Sequence, residues 1–450
     1  MGRFMKNVRV FACTAVVCAG LLLAVCALIP QSAIRQSCLD AETYFSANES
    51  FPLLFERSLG SRMDHYADAA LLNVIYNVQE EKPLYSMIAA PYYRIEGHDI
   101  RMDYRSAVVD GLAPNSEYSR YWHGSQVLIR PLLLFTSVTG CRIILFALLL
   151  ALNAVLAVLL MKRKAVRPLM IYLAALLAVQ FFMTAFTLEY VMVFLVAAGA
   201  CIAVAVSFAR PHPLETVRQR MTVICIVSGA VTCFVDFLTA ETLAFTIPVL
   251  LWMMLDKERK DSSLTLRQMF ALLVRWGAAW LAAYAAMFAV KWVLVFFVLG
   301  EEAFWGIFSS AAYRVNRPVT VHDGQVTSTV VSGRLAMMLA RNLGCLFPIS
   351  SQLTVPVILW SAAGVLFVLG AVFYLFRGSK LDGAFIAGQL LLGAVPYLRF
   401  LVLSSHAYDH YFFTYRAQMA TVMALCGVMV YSLKPSQVLK PQKRRRKSRR

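Results

Sequence analysis

Apolar residues run through this chain in long blocks rather than in alternation. Blocks at 10–29, 138–161, 169–186, 190–208, 221–235, 243–255, 266–290, 354–376, 384–403 and 414–432 carry few charges. About 20 apolar residues at ~1.5 Å each cross a hydrocarbon layer of ~30 Å, so such blocks predict membrane-spanning helices. The pattern therefore predicts an all-α, polytopic transmembrane protein of about ten spans. Residues 292–299 are apolar but too short to cross. They are expected to form a helix lying in the outer interface, at the start of an outer-face loop at 291–353.

The charges between the blocks give the array a direction. Arg3, Lys6 and Arg9 precede the first block, which is longer than the ~7–15 apolar residues of a signal peptide. It reads as an uncleaved first span. Lys162, Arg163, Lys164 and Arg167 follow the second block. Arg210, Arg218 and Arg220, then Lys257, Arg259, Lys260 and Arg267, then Arg377 and Lys380 mark later loops. With an even number of spans all these clusters fall on one side, as basic residues do on the cytoplasmic side of a membrane. The expectation is a multi-pass protein of the cell membrane with both termini cytoplasmic. Its parts are a short N-terminus and first span (1–30), an extracytoplasmic loop (31–125), a multi-span domain (126–433) and a basic tail (434–450).

Composition agrees with lipid as the solvent. The chain is 60% hydrophobic and only 15% charged, against about 25% charged in an average soluble domain. The net charge of +18 does not indicate nucleic acid. Nine of the 43 basic residues lie in 434–450, and most others sit in short loops between blocks. A basic tail there attracts anionic membrane lipid, at about 1 kcal/mol per residue near the surface. The ten cysteines form no CxxC pair and mostly lie inside apolar blocks, where a thiol behaves as a small hydrophobe. No resident cofactor is expected, although paired acids leave room for a divalent cation.

The 31–125 loop holds 13 acidic residues against eight basic ones, and six of the seven histidines fall outside on this topology. Chemistry is therefore sought on the outer face. Asp64 and Asp68 are four apart, so a helix would place them on one face, where mutual repulsion can raise a carboxyl pKa and make a general base. Asp40 and Glu42 are a rival pair. His406 and His410 are also four apart, within a Tyr-rich segment ending at Arg416, but no Glu follows the first His as a zinc-protease motif requires. No metal site is assigned. Arg399 lies in an apolar block, where an ionisable residue is a functional candidate by default. With Arg416 it could grip phosphate oxygens. His123 and Arg130 enter the membrane beside Tyr121 and Trp122. Asp236 and Glu241 sit at an outer boundary, with Lys291 or Arg399 as expected partners for Asp236. Each group also has a structural reading as solvated face, aromatic belt or buried ion pair.

The layout resembles the GT-C superfamily of membrane glycosyltransferases: a basic N-terminus, one span, a long acidic outer loop, then many spans. More locally, Met63–Ala69, Tyr121–Gly124, Asp236–Thr239 and His406–Arg416 are similar to segments of multi-pass membrane proteins of Gram-positive bacteria. The resemblance implies transfer of a sugar from a polyprenyl-phosphate donor to an envelope glycan, lipid or protein acceptor. It implies an acidic residue of the first outer loop as base, here Asp64 or Asp68. Substrate-binding groups would be His123, Arg130, Asp236, Arg399, His406, His410 and Arg416. GT-C acids are often adjacent or singly spaced, which Asp40 and Glu42 match better. The alternatives are a transporter or flippase for a lipid-linked envelope precursor, and a membrane scaffold.

Overall fold

A computed structural model of the chain describes residues 2–56, 58–209, 213–259, 264–316, 331–346 and 382–432. The first helix, α1 (Gly2–Leu28), leads into a folded segment with α2 (Gln31–Ser46), α3 (His65–Tyr76), α4 (Pro83–Ala89) and α5 (Ile100–Val108). A two-residue antiparallel pairing, β1 (Pro91–Tyr92) with β2 (Ser116–Glu117), closes this segment. Next come α6 (Gln126–Leu132), α7 (Val138–Lys162), α8 (Val166–Ala178), α9 (Leu188–Ser207), α10 (Leu214–Val235), α11 (Leu243–Lys257) and α12 (Leu266–Leu299). After α13 (Glu301–Asn316) and α14 (Val331–Leu346) follow α15 (Gly383–Val402), α16 (Ser404–Asp409), α17 (Tyr411–Thr414) and α18 (Met419–Ser432).

Seven helical segments among the described residues are long and apolar enough to cross a bilayer: Phe4–Leu28, Val138–Lys162, Leu188–Ser207, Leu214–Val235, Leu266–Leu299, Gly383–Val402 and Tyr411–Tyr431. The architecture is that of a helical, multi-pass membrane protein. Two of the ten expected spans are helices too short to be counted among these seven. Block 169–186 becomes the 13-residue α8 and a 3-10 turn at Phe181–Ala185, because Gln180 adopts a left-handed φ of 51° and stops the helix. Block 243–255 becomes the 15-residue α11, roughly 22 Å long at ~1.5 Å per residue. The expected span at 354–376 and the tail at 434–450 lie outside the described residues.

One expectation is corrected. Residues 292–299 are not a separate interfacial helix: α12 runs unbroken for 34 residues to Leu299, where Gly300 ends it at φ 91°. No breaker separates Val290 from Trp292. The charge of Lys291 does not interrupt the helix because its Nζ donates to Met87 O (3.0 Å) and Ile88 O (2.8 Å). At ~1.5 Å per residue the helix is ~51 Å long, so it projects beyond a ~30 Å hydrocarbon layer.

Packing distinguishes inner from lipid-facing helices. Leu243–Asp256 of α11 is buried on every side, as expected for a helix apolar all round at the centre of a bundle. Trp252 meets Trp276 of α12 edge-on, with ring centroids 4.7 Å apart. α7 instead exposes Ile143, Ile144, Leu148, Leu150, Val155 and Val158, an apolar stripe suited to lipid. α10 and α12 approach closely at Gly229, where an added Cβ would lie 2.4 Å from Trp280 O. Small residues permit such close approach in membranes. Gly229→Ala is expected to cost about 1–3 kcal/mol, measured as a lower thermal midpoint in detergent. An unchanged midpoint would show that the two helices separate freely there.

Candidate functional site

The segment before α3 is folded back on itself. Met63 N donates to Pro52 O (2.9 Å) and His65 N to Ser50 O (3.0 Å). This delivers Asp64 to the N-cap of α3, where its Oδ1 accepts from Ala67 N (2.8 Å). Its own N–H donates to Thr187 Oγ1 (3.2 Å), just before α9. Among the described residues Ala67 N is the sole hydrogen-bond donor to the Asp64 carboxylate. Burial pushes this carboxyl up to about 7. The N–H of Ala67 opposes the shift, the Asp68 charge adds to it and Arg62 opposes it.

Asp68 is held differently. Its Oδ2 accepts from Arg142 Nε (2.9 Å) and Nη2 (2.7 Å), and its Oδ1 accepts from Leu188 N (2.9 Å). The carboxylate thus caps α9 from a neighbouring helix while neutralising Arg142 of α7. A negative charge at a helix N-terminus also meets the positive end of the helix dipole. The Arg142 guanidinium lies 5.0 Å from the Tyr44 ring centroid. Tyr44 Oη is 3.1 Å from His65 Nε2, and His65 Nδ1 is 2.7 Å from Glu49 O. A carbonyl only accepts, so Nδ1 carries the proton and Nε2 accepts from Tyr44. Burial holds His65 down at about 4, which keeps it neutral.

The rival pair lies elsewhere. Glu42 accepts from Ser46 Oγ (2.5 Å) and pairs with Arg105 (3.0 Å), whereas Asp40 accepts from Gln36 Nε2 (2.9 Å). These contacts tie α2 to itself and to α5.

A second polar group forms at the end of α10. Asp236 caps the turn that follows, accepting from Thr239 N (3.0 Å) and from Thr239 Oγ1. Leu238 sits at φ 65°, a left-handed conformation uncommon for a branched side chain. This aims its carbonyl at two donors, Arg399 Nη2 (2.5 Å) and His406 Nε2 (2.9 Å). Arg399 also grips Glu241 with two bonds, Nε–Oε1 at 2.9 Å and Nη2–Oε2 at 3.1 Å. Arg399 therefore pairs with Glu241 rather than Asp236, and Lys291 bonds backbone carbonyls instead. Burial raises Asp236 to about 7, Glu241 adds to the shift, and Thr239 and Arg399 oppose it.

Of the remaining predicted groups, His123 packs on this turn and His410 on His406, whereas Arg416 and Arg130 have their contacts elsewhere. The His123 ring lies 5.0 Å from Phe237 and its Nε2 donates to Tyr118 O (2.8 Å). Burial lowers its pKa to about 3, so it is neutral. The His410 ring is 4.7 Å from His406. Arg416 donates to Phe412 O (3.0 Å) and Gly60 O (3.1 Å), and its guanidinium lies 4.4 Å from the Tyr190 ring. Arg130 has backbone partners. It is fully buried and donates to Ile29 O (2.6 Å) and to Ile75 O. It ties the end of α1 to α3, and among the described residues none of its contacts is with Asp64, Asp236 or Arg399.

Two further residues join the halves. Glu189, in the first turn of α9, is close enough to Asp64, Asp68 and Asp236 for their charges to interact. Tyr190 interacts in turn with Asp64 and Arg416. Sequence reasoning passed over Glu189 and Arg142, though both are ionisable residues at or inside apolar blocks, which is itself a signal. Among the described residues no group of three or more His, Cys, Asp or Glu side chains is arranged to hold a metal ion. Buried guanidinium nitrogens without an acceptor among the described residues include Arg399 Nη1, Arg416 Nε and Arg62 Nε. The arrangement combines a carboxyl poised near neutrality with N–H donors able to receive an anion. The chain matches no protein-family model, no curated protein and no solved structure.

Proposed function

We propose that this protein is a membrane glycosyltransferase that moves a sugar from a polyprenyl-phosphate donor to an envelope acceptor at the outer face. The observation that carries the reading is the contrast between the two predicted acids. Arg142 and the start of α9 engage both oxygens of Asp68, whereas Asp64 keeps an oxygen with no donor among the described residues and a pKa near 7. A base works best when its pKa lies near the operating pH. Asp64 is thus the general base and Asp68 a positioning residue.

In the proposed step the acceptor hydroxyl gives its proton to Asp64. The acceptor oxygen bonds to the anomeric carbon as the bond from that carbon to the phosphate oxygen breaks. The lipid phosphate leaves with the electron pair. Arg399 Nη1 and Arg416 Nε would stabilise the leaving charge, which is where fixed donors act most strongly. Asp236, His406 and His410 would line the sugar site, with His123 behind them, and membrane lipid would seat the carrier chain.

The test is transfer from a labelled polyprenyl-phosphate sugar by protein reconstituted in liposomes. Asp64→Asn is expected to abolish transfer, and full transfer by this variant would remove the role. Movement of the intact lipid-linked sugar across the bilayer, without transfer, would instead support the flippase reading.

A further inference from the structure

A separate pocket lies at the other end of α7. Lys162 is 20 residues beyond Arg142 on one helix, hence ~30 Å away at ~1.5 Å per residue, so the pocket opens at the opposite membrane face from Asp64. Its volume is about 690 Å3, between the α7–α8 turn, the end of α11 and Tyr431. Arg163, Lys164, Arg167, Lys257 and Arg259 line it, with Glu258 the one acidic lining residue among the described residues. Glu258 accepts from Tyr431 Oη (2.9 Å), and Lys257 pairs with Asp382. Among the described residues, Arg163, Lys164, Arg167 and Arg259 take part in no ion pair.

Basic side chains at a span end ordinarily reach outward into water or headgroups. Here they converge. Arg163 is partly buried, 5.7 Å from the Phe208 ring. Burial, and then the Arg259 charge, make its protonated form harder to keep, and Glu258 partly opposes this. The turn itself is costly. Lys164 adopts φ 61° while Lys164 N donates to Met161 O (2.8 Å) and Ala165 N to Leu160 O (2.9 Å). Glycine is the usual occupant of such a helix-ending position. A lysine there places a further cation on the pocket wall.

We infer that this pocket binds a phosphate-bearing ligand, whose oxygens are held by Arg163, Lys164, Arg167 and Arg259. Planar guanidinium groups match phosphate oxygens two at a time, and a negatively charged phosphate offsets the mutual repulsion of the cations. The same chemistry is offered by an anionic phospholipid headgroup and by a soluble diphosphate.

Two arms separate these sources, both with the full-length protein. In phosphatidylcholine nanodiscs, pyrophosphate is titrated by calorimetry. In detergent, phosphatidylglycerol is added and retained lipid is counted by native mass spectrometry. Saturable pyrophosphate binding identifies a soluble diphosphate, and retained phosphatidylglycerol a headgroup. In either case the double variant Arg163→Gln/Arg259→Gln is expected to weaken binding by at least about tenfold. Lys164→Gly relaxes the turn, so it should weaken binding while leaving the thermal midpoint unchanged or higher, which separates loss of the site from loss of fold. Lys6→Gln, an exposed basic residue of α1, should change nothing. Binding of neither probe, or equal losses in Lys6→Gln, would overturn the inference.

Discussion

Asp68→Ala is expected to destabilise the protein by about 3–5 kcal/mol, the usual cost of leaving one partner of a buried ion pair unpaired. Asp68 is wholly buried and Arg142 is 3% exposed, so water cannot take over from the carboxylate. The change also removes the acceptor at the start of α9, for about a further 1 kcal/mol. The measurement is the unfolding midpoint of purified protein in detergent. A double variant, Asp68→Leu/Arg142→Met, removes both charges and should unfold later than either single variant. A double variant no more stable than the singles would show that the pair does not hold α3 to α7.

The second large effect concerns activity and pH together. If Asp64 takes the acceptor proton, Asp64→Asn should lower transfer by about 10²–10⁴-fold. In the parent protein the rate should rise with pH and reach half its plateau near 7, where Asp64 loses its proton. Stability runs the other way. The folded state holds the Asp64 proton up to about 7, whereas an unfolded Asp releases it near ~3.9. The folded state therefore binds more protons between these values. The stabilisation is complete below the unfolded pKa and is lost as pH rises through about 7. At ~1.4 kcal/mol per unit of pKa difference, the loss is of order 4 kcal/mol. Asp64→Asn should flatten this dependence. A pH–stability curve that keeps its slope in Asp64→Asn would assign the titration to another group, with Asp236 the next to examine.

The neighbours of these two acids make Asp68 structural and leave Asp64 open to the proposed proton transfer. Arg142 reaches Asp68 because α7 packs beside α2 and α9. Among the described residues nothing comparable reaches Asp64, on which the one basic influence is Arg62 of its own loop. Sequence spacing made the two equivalent. They differ only because each faces a different neighbour.

The sequence by itself determined the solvent and most of the long apolar helices. Apolar blocks longer than about 15 residues leave the backbone little choice in lipid, since an unpaired N–H or C=O there costs several kcal/mol and a helix pairs them all internally. It also picked out His123, Asp236, Arg399, His406, His410 and Arg416, because polar side chains in apolar surroundings need a reason to be there. Tertiary structure decided which partner each of them has. The Leu238 carbonyl gathers Arg399 and His406 from helices distant in sequence, and Glu241 rather than Asp236 takes the Arg399 charge. Arg130 turns out to bind carbonyls, and Lys291 lets α12 continue where its charge suggested a break. Apolar length is a local property, legible one block at a time. The partner of a buried charge is fixed by which helices pack together, and that is written across the whole chain.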